Sequence, residues 1–574
     1  MTKLDVNQRT ILEGRYLQRD ESGRIIETPE EMFWRVARAV SAAEARFGAD
    51  GKEVARWAQR FFALMSSLDF LPNSPTLINA GRDLGQLAAC FVLPIEDSIE
   101  SIFETLKEAA LIHKSGGGTG FNFSRLRPKG DPVQSTGGVA SGPVSFMRIF
   151  NAATEEIKQG GVRRGANMGI LKVDHPDILE FIACKEQEGA FRNFNISVAV
   201  NDEFFEAMER DGDFPLVFGG RVYKTLPAKQ VFGEITRHAH KNGEPGLLFL
   251  DAVNRANPTP ALGAIEATNP CGEQPLLPYE SCTLGSINLV QMTEGKEVAW
   301  TKLRQVVHDA VRFLDNVIEV NSFPTAEIAA ATRRTRKIGL GVMGWADMLY
   351  QLGIPYDSAA ALKLAEKVAS FIREEARTAS RALARERGVF PAWEKSVYYP
   401  ELPLRNATLT TIAPTGSVSA IAGVSPGIEP VFALSYSRSV LDGKKLLVVD
   451  KVFSGYLRAN FPEPQREAIL NTVYLNGTLR EAEGVPLETR KVFKTALEIK
   501  PEWHLKMQAA FQKYVDNAVS KTVNLPQTAT ETDVAAILRQ AHILGLKGLT
   551  LYRSGSRKDQ PLIPLTSCPP CQEN

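Results

Sequence analysis

The chain has 574 residues, 44% of them hydrophobic and 23% charged, with 67 Lys and Arg against 66 Asp and Glu for a formal charge of +1. That is about four times the usual length of one domain and an ordinary globular mixture, which excludes a small binding module and wholesale disorder. The even charge carries no polybasic face for a phosphate backbone or an anionic membrane, so neither a nucleic-acid polymer nor a membrane is an expected partner.

In chain order, residues 1–15 scatter Lys3, Asp5, Arg9, Glu13 and Arg15 among isolated apolar residues and contain no signal-peptide core. No uncharged apolar run reaches the roughly 18 residues needed to span a bilayer, and a cytoplasmic protein is expected. Thr28-Pro-Glu-Glu31 combines an N-cap, a proline at the first helical position and a glutamate three residues after the cap, which predicts a helix start. Phe33, Val36 and Val40 follow at helical spacing, and Val54, Trp57, Phe61 and Leu64 form a second amphipathic stretch, so residues 1–70 read as a helical layer. From Leu71 to about Tyr279, glycine-rich turns such as Ser115-Gly-Gly-Gly-Thr-Gly120 alternate with short apolar runs, which suggests α/β structure. Ser358 to Arg387 is a long helix ended by Gly388. A polar, helix-like insertion runs from about Asp450 to Gln527, and Gln560 to Asn574 reads as a tail with four prolines and two cysteines.

Six cysteines are too few for a secreted disulfide scaffold, so their positions matter more than their number. Asn269-Pro-Cys-Gly-Glu273 carries an amide, a thiol and a carboxylate at alternate positions, on one side of the chain if the segment is extended; Asn-Pro and Cys-Gly are also turn dipeptides, and a lone cysteine in a turn is more often inert than catalytic. Cys90, Cys184 and Cys282 lie in apolar settings where a free cysteine is commonly a small hydrophobe. Cys568-Pro-Pro-Cys571 permits a disulfide or half of a zinc site; no second such pair and no nearby histidine exists, which favours thiol–disulfide exchange and no metal. Asn406 to Val418 reads as a strand, a glycine turn and a helix start near Ser417, either an ordinary capped turn or a phosphate-holding one. The Ser115–Gly120 run fits neither a P-loop nor a dinucleotide fingerprint and reports close backbone approach. Gln159 to Asn167 sets Arg163 and Arg164 among glycines, a basic loop suited to a nucleotide or a solvated turn.

Taken together, Asn73-Ser-Pro-Thr-Leu-Ile-Asn-Ala-Gly81, the Asn269–Glu273 pentapeptide, Cys282 in its Leu-Gly-Ser-Ile-Asn setting, Pro414-Thr-Gly-Ser417, Gly427-Ile-Glu-Pro430 and the terminal cysteine pair resemble a ribonucleotide reductase catalytic chain, most of all a class II, adenosylcobalamin-dependent one. The resemblance implies a ten-stranded α/β barrel of two antiparallel halves of five parallel strands around a finger loop. It divides the chain into a helical layer (1–70), the barrel (71–558) and a flexible redox tail (559–574). It implies that Cys271 forms a thiyl radical that takes the ribose 3′ hydrogen, that Glu273 is the general base, and that Asn269 bonds the sugar hydroxyls. Cys90 and Cys282 would supply a proton and two electrons and end as a disulfide. Cys568 and Cys571 would re-reduce them and be reset by a thioredoxin-like reductant. Ser74, Ala89, Cys90, Gly118, the whole pentapeptide including Pro270 and Gly272, and Pro414, Thr415, Gly416, Ser417 and Val418 would contact a ribonucleotide, expected to be a diphosphate. A deoxynucleoside triphosphate or ATP effector would meet Asp97, Arg127, Arg163 and Arg164 where two copies of a homodimer join, without a separate on/off module. Class II follows from likeness and from what is missing: Leu549-Thr-Leu-Tyr-Arg553 holds one tyrosine where class I chains have an adjacent pair, and neither a glycyl-radical segment nor a cysteine-rich metal site of class III is present. A class I large subunit with an unusual radical path, and a silent nucleotide-binding regulator, are the rival readings. There is no Asp-x-His-x-x-Gly motif, which class II members do not use, so the cobalamin contacts are unnamed.

Overall fold

A computed structural model describes residues 4–133, 137–159, 163–440, 444–557 and 562–563. The first helices form where the sequence supplies both ends. The helix Pro29–Ser41 opens with a capping box between Thr28 and Glu31, and the helix Gly51–Ser66 opens on the Asp50 side chain. The apolar faces of these two pack on each other and on the helix Trp300–Val320, burying Phe33, Val36, Phe61 and Phe313 completely. An earlier helix, Val6–Arg15, carries its own capping box between Asp5 and Gln8.

The strands are β1 (Phe70–Pro72), β2 (Cys90–Leu93), β3 (Gly118–Asn122), β4 (Asn167–Lys172), β5 (Phe194–Val200), β6 (Gly246–Phe249), β7 (Ser281–Asn288), β8 (Ile338–Met343), β9 (Thr522–Leu525) and β10 (Gly548–Arg553). Strands β2 to β6 are parallel neighbours in chain order. Strands β7 and β8 are parallel, as are β9 and β10. Two single parallel bridges, Leu340 with Thr410 and Ile412 with Val519, carry the pairing from β8 through the extended segment 408–412 to the residues leading into β9. The result is two five-membered parallel halves that meet antiparallel at β2–β7 and at β6–β10. Strand β1 adds antiparallel to β7. This is the expected α/β barrel. The interior carries small and apolar side chains, among them Ala89, Cys90, Met168, Leu248, Cys282 and Leu284, and separate cores lie between each half and its outer helices.

One expectation gives way. The polar stretch 450–527 does hold helices, Lys451–Asn460, Glu463–Asn476 and Pro501–Gln512, but its last residues are the barrel strand β9. Four residues of Thr-Val-Asn-Leu directly behind helical sequence are too few to show a strand period. The long helix is found at Ala359–Arg387, capped by Ser358.

Candidate active site

The pentapeptide sits at the tip of a ribbon inside the barrel, where Ala267–Thr268 pairs with Pro275–Leu276. It is a turn rather than an extended segment: Gly272 has φ +81° and donates its N–H to the Asn269 carbonyl at 3.0 Å, while the Asn269 side chain accepts the Gln274 N–H at 3.0 Å. Both halves of the barrel grip it. Asn195 Nδ2 on β5 donates to the Pro270 carbonyl at 2.8 Å, while the Ala518 N–H (3.0 Å) and the Thr411 hydroxyl (2.9 Å) donate to the Glu273 carbonyl. The glycine run of β3 makes room for this ribbon. A Cβ on Gly120 would lie 1.8 Å from the Thr268 carbonyl oxygen, and one on Gly118 would lie 2.9 Å from the Pro270 ring.

The turn exposes Cys271 and buries Asn269 and Glu273, each 2% accessible. Those two close on Cys90: Asn269 Nδ2 donates to its sulfur at 3.1 Å, and the Cys90 thiol faces Glu273 Oε1 at 3.9 Å. The register of the β2–β7 seam pairs Cys90 directly with Cys282, and opposed residues of an antiparallel pair have Cβ atoms about 4.5–5.5 Å apart. Both thiols are pushed well above the usual range, Cys90 by burial and then by the Glu273 carboxylate, Cys282 by burial against a partial pull from Lys337. They are held protonated, as a proton donor needs to be. Cys184 lies apart, packed against the core of the first half, and burial pushes its thiol up to about 12. Cys568 and Cys571 lie outside the described residues.

Two cavities meet at the turn. One, of about 290 Å³, is lined by Ser74, Ala89, Cys90, Gly118, Asn269, Pro270, Cys271, Glu273 and the run Pro414–Val418; of the residues expected to meet substrate, only Gly272 is not on its wall. At its rim Thr415 holds φ +52° and its hydroxyl accepts the Gly427 N–H at 2.7 Å, tying the Pro414–Ser417 turn to the Gly427–Pro430 segment. The other cavity, of about 640 Å³, has walls that include Ile11, Val431, Phe432, Ala433 and Val449. Pro270, Cys271 and Pro414 line both. Of the expected effector residues, Arg127 Nε donates to Asp97 Oδ2 at 2.6 Å and the Arg127 N–H donates to Asp97 Oδ1 at 3.2 Å, forming a half-exposed pair. Arg163 and Arg164 form the returning strand of a hairpin with Lys158–Gln159, the residues between the two strands lying outside those described.

Several site residues carry no sequence signal. Arg15 and Tyr16 line the smaller cavity, and the Tyr16 hydroxyl shares a 2.8 Å hydrogen bond with Ser74 Oγ. Asp5, Gln8 and Ile11 line the larger one, so the N-terminal helix walls the site as well as packing on the barrel. Helical periodicity reports a buried face without saying what covers it. Beneath Cys282 lies a fully buried ion pair, Lys337 Nζ to Glu280 Oε2 at 2.6 Å. Among the described residues no cluster of histidine, cysteine and carboxylate side chains has the makings of a metal site, and no helix is long and apolar enough to cross a membrane.

The arrangement has counterparts in known proteins. A family model described as the ribonucleotide reductase all-alpha domain matches residues 2–85, and one described as the ribonucleotide reductase barrel domain matches residues 88–402 and 400–552. The chain is 50% identical to a vitamin B12-dependent ribonucleoside-diphosphate reductase of Thermoplasma acidophilum, over 98% of this chain and 80% of that one. It is 51% identical to the protein of the same description from Mycobacterium tuberculosis, over 98% and 81%. Against a ribonucleoside-diphosphate reductase subunit alpha of Chlamydia pneumoniae the identity is 28%, over 90% of this chain and 56% of that one. Among solved structures, the class Id ribonucleotide reductase alpha subunit of Actinobacillus ureae superposes with a TM-score of 0.78 at 26% identity, covering 96% of this chain and 97% of that one.

Proposed function

The chain belongs to the ribonucleotide reductase family, and from that premise we propose that it converts ribonucleoside diphosphates to 2′-deoxyribonucleoside diphosphates with adenosylcobalamin as its radical source. The observation that carries this is the position of Cys271, an exposed thiol on the wall of two cavities at once. The smaller cavity brings the candidate proton donor, base and phosphate loop to one face of it.

The larger cavity suits a bulky cofactor with an apolar ring face and many polar groups at its edge, since its wall sets apolar side chains beside ionisable ones such as Asp450, Lys451 and Arg557. The Tyr552 and Ser425 hydroxyls, both on its wall, are buried without a hydrogen-bond partner among the described residues. Val431, Phe432, Ala433 and Val449 would pack against a corrin, while Tyr552 and Ser425 would bond its amide groups. Among the described residues that line it there is no histidine. Bound there, adenosylcobalamin would supply the hydrogen-atom abstraction that makes the Cys271 thiol a thiyl.

The chain's own residues then divide the work. Cys271 takes the hydrogen atom from ribose C3′ and returns one at the end. Glu273 accepts the 3′ hydroxyl proton, and Asn269 orients the hydroxyls. Cys90, kept protonated by burial and the nearby carboxylate, gives its proton to the departing 2′ hydroxyl, which leaves as water; the hydrogen of Cys282 takes the vacated place on C2′, the two sulfurs give two electrons as they become a disulfide, and Glu273 returns its proton to the 3′ oxygen. The residues 414–418 turn holds the phosphates. We further propose that residues 1–70, 71–558 and 559–574 serve as helical layer, barrel and redox tail, and that the tail's Cys568 and Cys571 restore the pair and are reset by a thioredoxin-like protein. A nucleotide effector would act at Asp97, Arg127, Arg163 and Arg164 across a homodimer.

The test is product formation by the purified chain with a dithiol reductant and a panel of effectors, with and without adenosylcobalamin. Deoxynucleotide made only with the cofactor supports the reading. Product that requires a second, metal-bearing subunit, or nucleotide binding with no product under any effector, overturns it.

A further inference from the structure

Three side chains stand in a row across the seam where the barrel halves meet. Cys90 on β2 is paired with Cys282 on β7. On the other side of β7, one step before Thr283–Ile338, the first pair of the parallel β7–β8 ladder, Cys282 has Lys337 as its neighbour. Matching positions on adjacent strands leave the sheet on the same face. Lys337 is 1% exposed and its ammonium donates to Glu280 Oε2 at 2.6 Å. Glu280, two residues before Cys282 and completely buried, also accepts the Thr335 hydroxyl at 2.7 Å and the Leu277 N–H at 2.8 Å. Nothing in the reduction of the sugar uses this pair, although burying it carries a desolvation cost.

The two sulfurs are not equivalent. Cys90 lines the smaller cavity, while Cys282 is completely buried and off its wall. An incoming thiolate therefore reaches Cys90, and Cys282 is the sulfur that must leave, carrying negative charge into a site with no solvent. Exchange is faster when the leaving thiol is the more acidic one. Beside Cys282 the Lys337 ammonium favours the thiolate, against burial and the Glu273 and Glu280 carboxylates.

We propose that Lys337 is a positioning residue for re-reduction of the enzyme: it stabilises the Cys282 thiolate as it departs and so makes Cys90 the sulfur that an incoming dithiol attacks. The inference rests on the reading of Cys90 and Cys282 as the redox pair. In the first step a bond forms between the incoming sulfur and Cys90 Sγ as the Cys90–Cys282 bond breaks; Cys282 keeps the electron pair and then takes a proton. In the second, the other thiol of the same dithiol displaces Cys90, which is protonated in turn. The dithiol, having given two electrons, ends as a disulfide.

The test uses the full chain carrying Cys568→Ser and Cys571→Ser, oxidised chemically and peptide-mapped for the Cys90–Cys282 bridge. N-acetylcysteine is then added with iodoacetamide present. The expected products carry N-acetylcysteine on Cys90 and the alkyl group on Cys282; the reverse assignment overturns the proposal. Reduction by dithiothreitol is then timed across pH. Lys337→Gln is expected to slow it about tenfold, Lys337→Arg to stay near the parent, and Glu280→Gln, which leaves the ammonium without its counter-charge, to speed it. A purely structural role would slow both Gln variants, and that result, or no change in either, sinks the idea. Should Lys337→Gln fail to fold, the labelling pattern and the Glu280→Gln rate still decide. Failure of the two sulfurs to bridge at all would overturn the redox-pair reading itself, and shows at the oxidation step.

Discussion

Cys271, Cys90 and Cys282 are the same residue type in three settings, and setting assigns their work. In the proposed mechanism the exposed Cys271 meets a radical source on one side and a sugar on the other, whereas burial holds Cys90 and Cys282 as thiols, as the proposed redox pair requires before it is oxidised. Replacing Cys271 with Ser puts an O–H bond too strong to exchange hydrogen atoms with carbon where the thiol stood. Cys271→Ser is expected to yield no deoxynucleotide while nucleotide Kd, measured by equilibrium binding, stays within about twofold; residual turnover above background would refute the radical role. Glu273→Gln keeps the shape and loses the proposed base, and kcat is expected to fall about 10²–10⁴-fold with KM little changed. Tyr16→Phe removes only the hydroxyl that meets Ser74 Oγ. A KM raised severalfold at constant kcat would show that the N-terminal layer shapes the substrate cavity, and unchanged kinetics would show that it does not.

At the scale of elements, the glycines of β3 and the finger ribbon belong to one design. With a 1.8 Å clash against the Thr268 carbonyl, Gly120→Ala must push the ribbon out of place. The variant is expected to lose about 1–3 kcal/mol or more in denaturant unfolding and to lose turnover beyond what stability explains; wild-type activity would contradict the tight approach. The sequence made the approach readable, because a glycine run without a phosphate-binding pattern leaves backbone contact as its use. It also showed Cys271, Glu273 and Asn269 as a set, but through strand alternation, whereas a turn brings all three to the wall of the smaller cavity, with Cys271 exposed and the other two buried. The opposition of Cys90 and Cys282 could come only from family likeness, since a register between strands so far apart in the chain is fixed by tertiary packing. Lys337 beside Cys282 is likewise a product of tertiary packing, and no motif in the sequence points to it. Strand β9 is not legible in the sequence because four residues carry no period, nor is the cavity-lining side of the N-terminal helix, whose polar residues look solvated until a cavity is placed beside them.

At the scale of the whole molecule, the helical layer is bound to the second half of the barrel by buried charge. Glu44 is bonded by Arg312, Arg387 and Asn316, and Asp315 by Arg336, Arg387 and Asn406. Burial alone would raise the Asp315 carboxyl, but Arg336, Arg405 and Arg387 outweigh it and hold it at about 2. A carboxyl lowered on folding contributes stability that is complete above its unfolded value near 4 and is lost as pH falls through about 2. Acid titration of unfolding should therefore show a decline from pH 4 to pH 2 that Asp315→Asn flattens, and Asp315→Ala should cost about 3–5 kcal/mol at neutral pH by removing the buried carboxylate that three arginines share, leaving them only Glu44, Glu319 and Glu386. A wild-type acid profile in Asp315→Asn would count against the network. The seams set a different kind of coupling. Each is a short antiparallel ladder of two residue pairs, and one of those four pairs is Cys90 with Cys282. When these sulfurs bridge, a covalent tie closes a very long loop and joins the halves of the barrel, worth on the order of 4 kcal/mol or more against unfolding. The oxidised chain should then melt at a higher temperature than the reduced one. By the closed cycle linking the four states, whatever the tie adds to the fold is subtracted from the ease of breaking it. Turnover would thus tighten the molecule and re-reduction loosen it, so that the resting enzyme, ready for substrate, is the softer of its two forms.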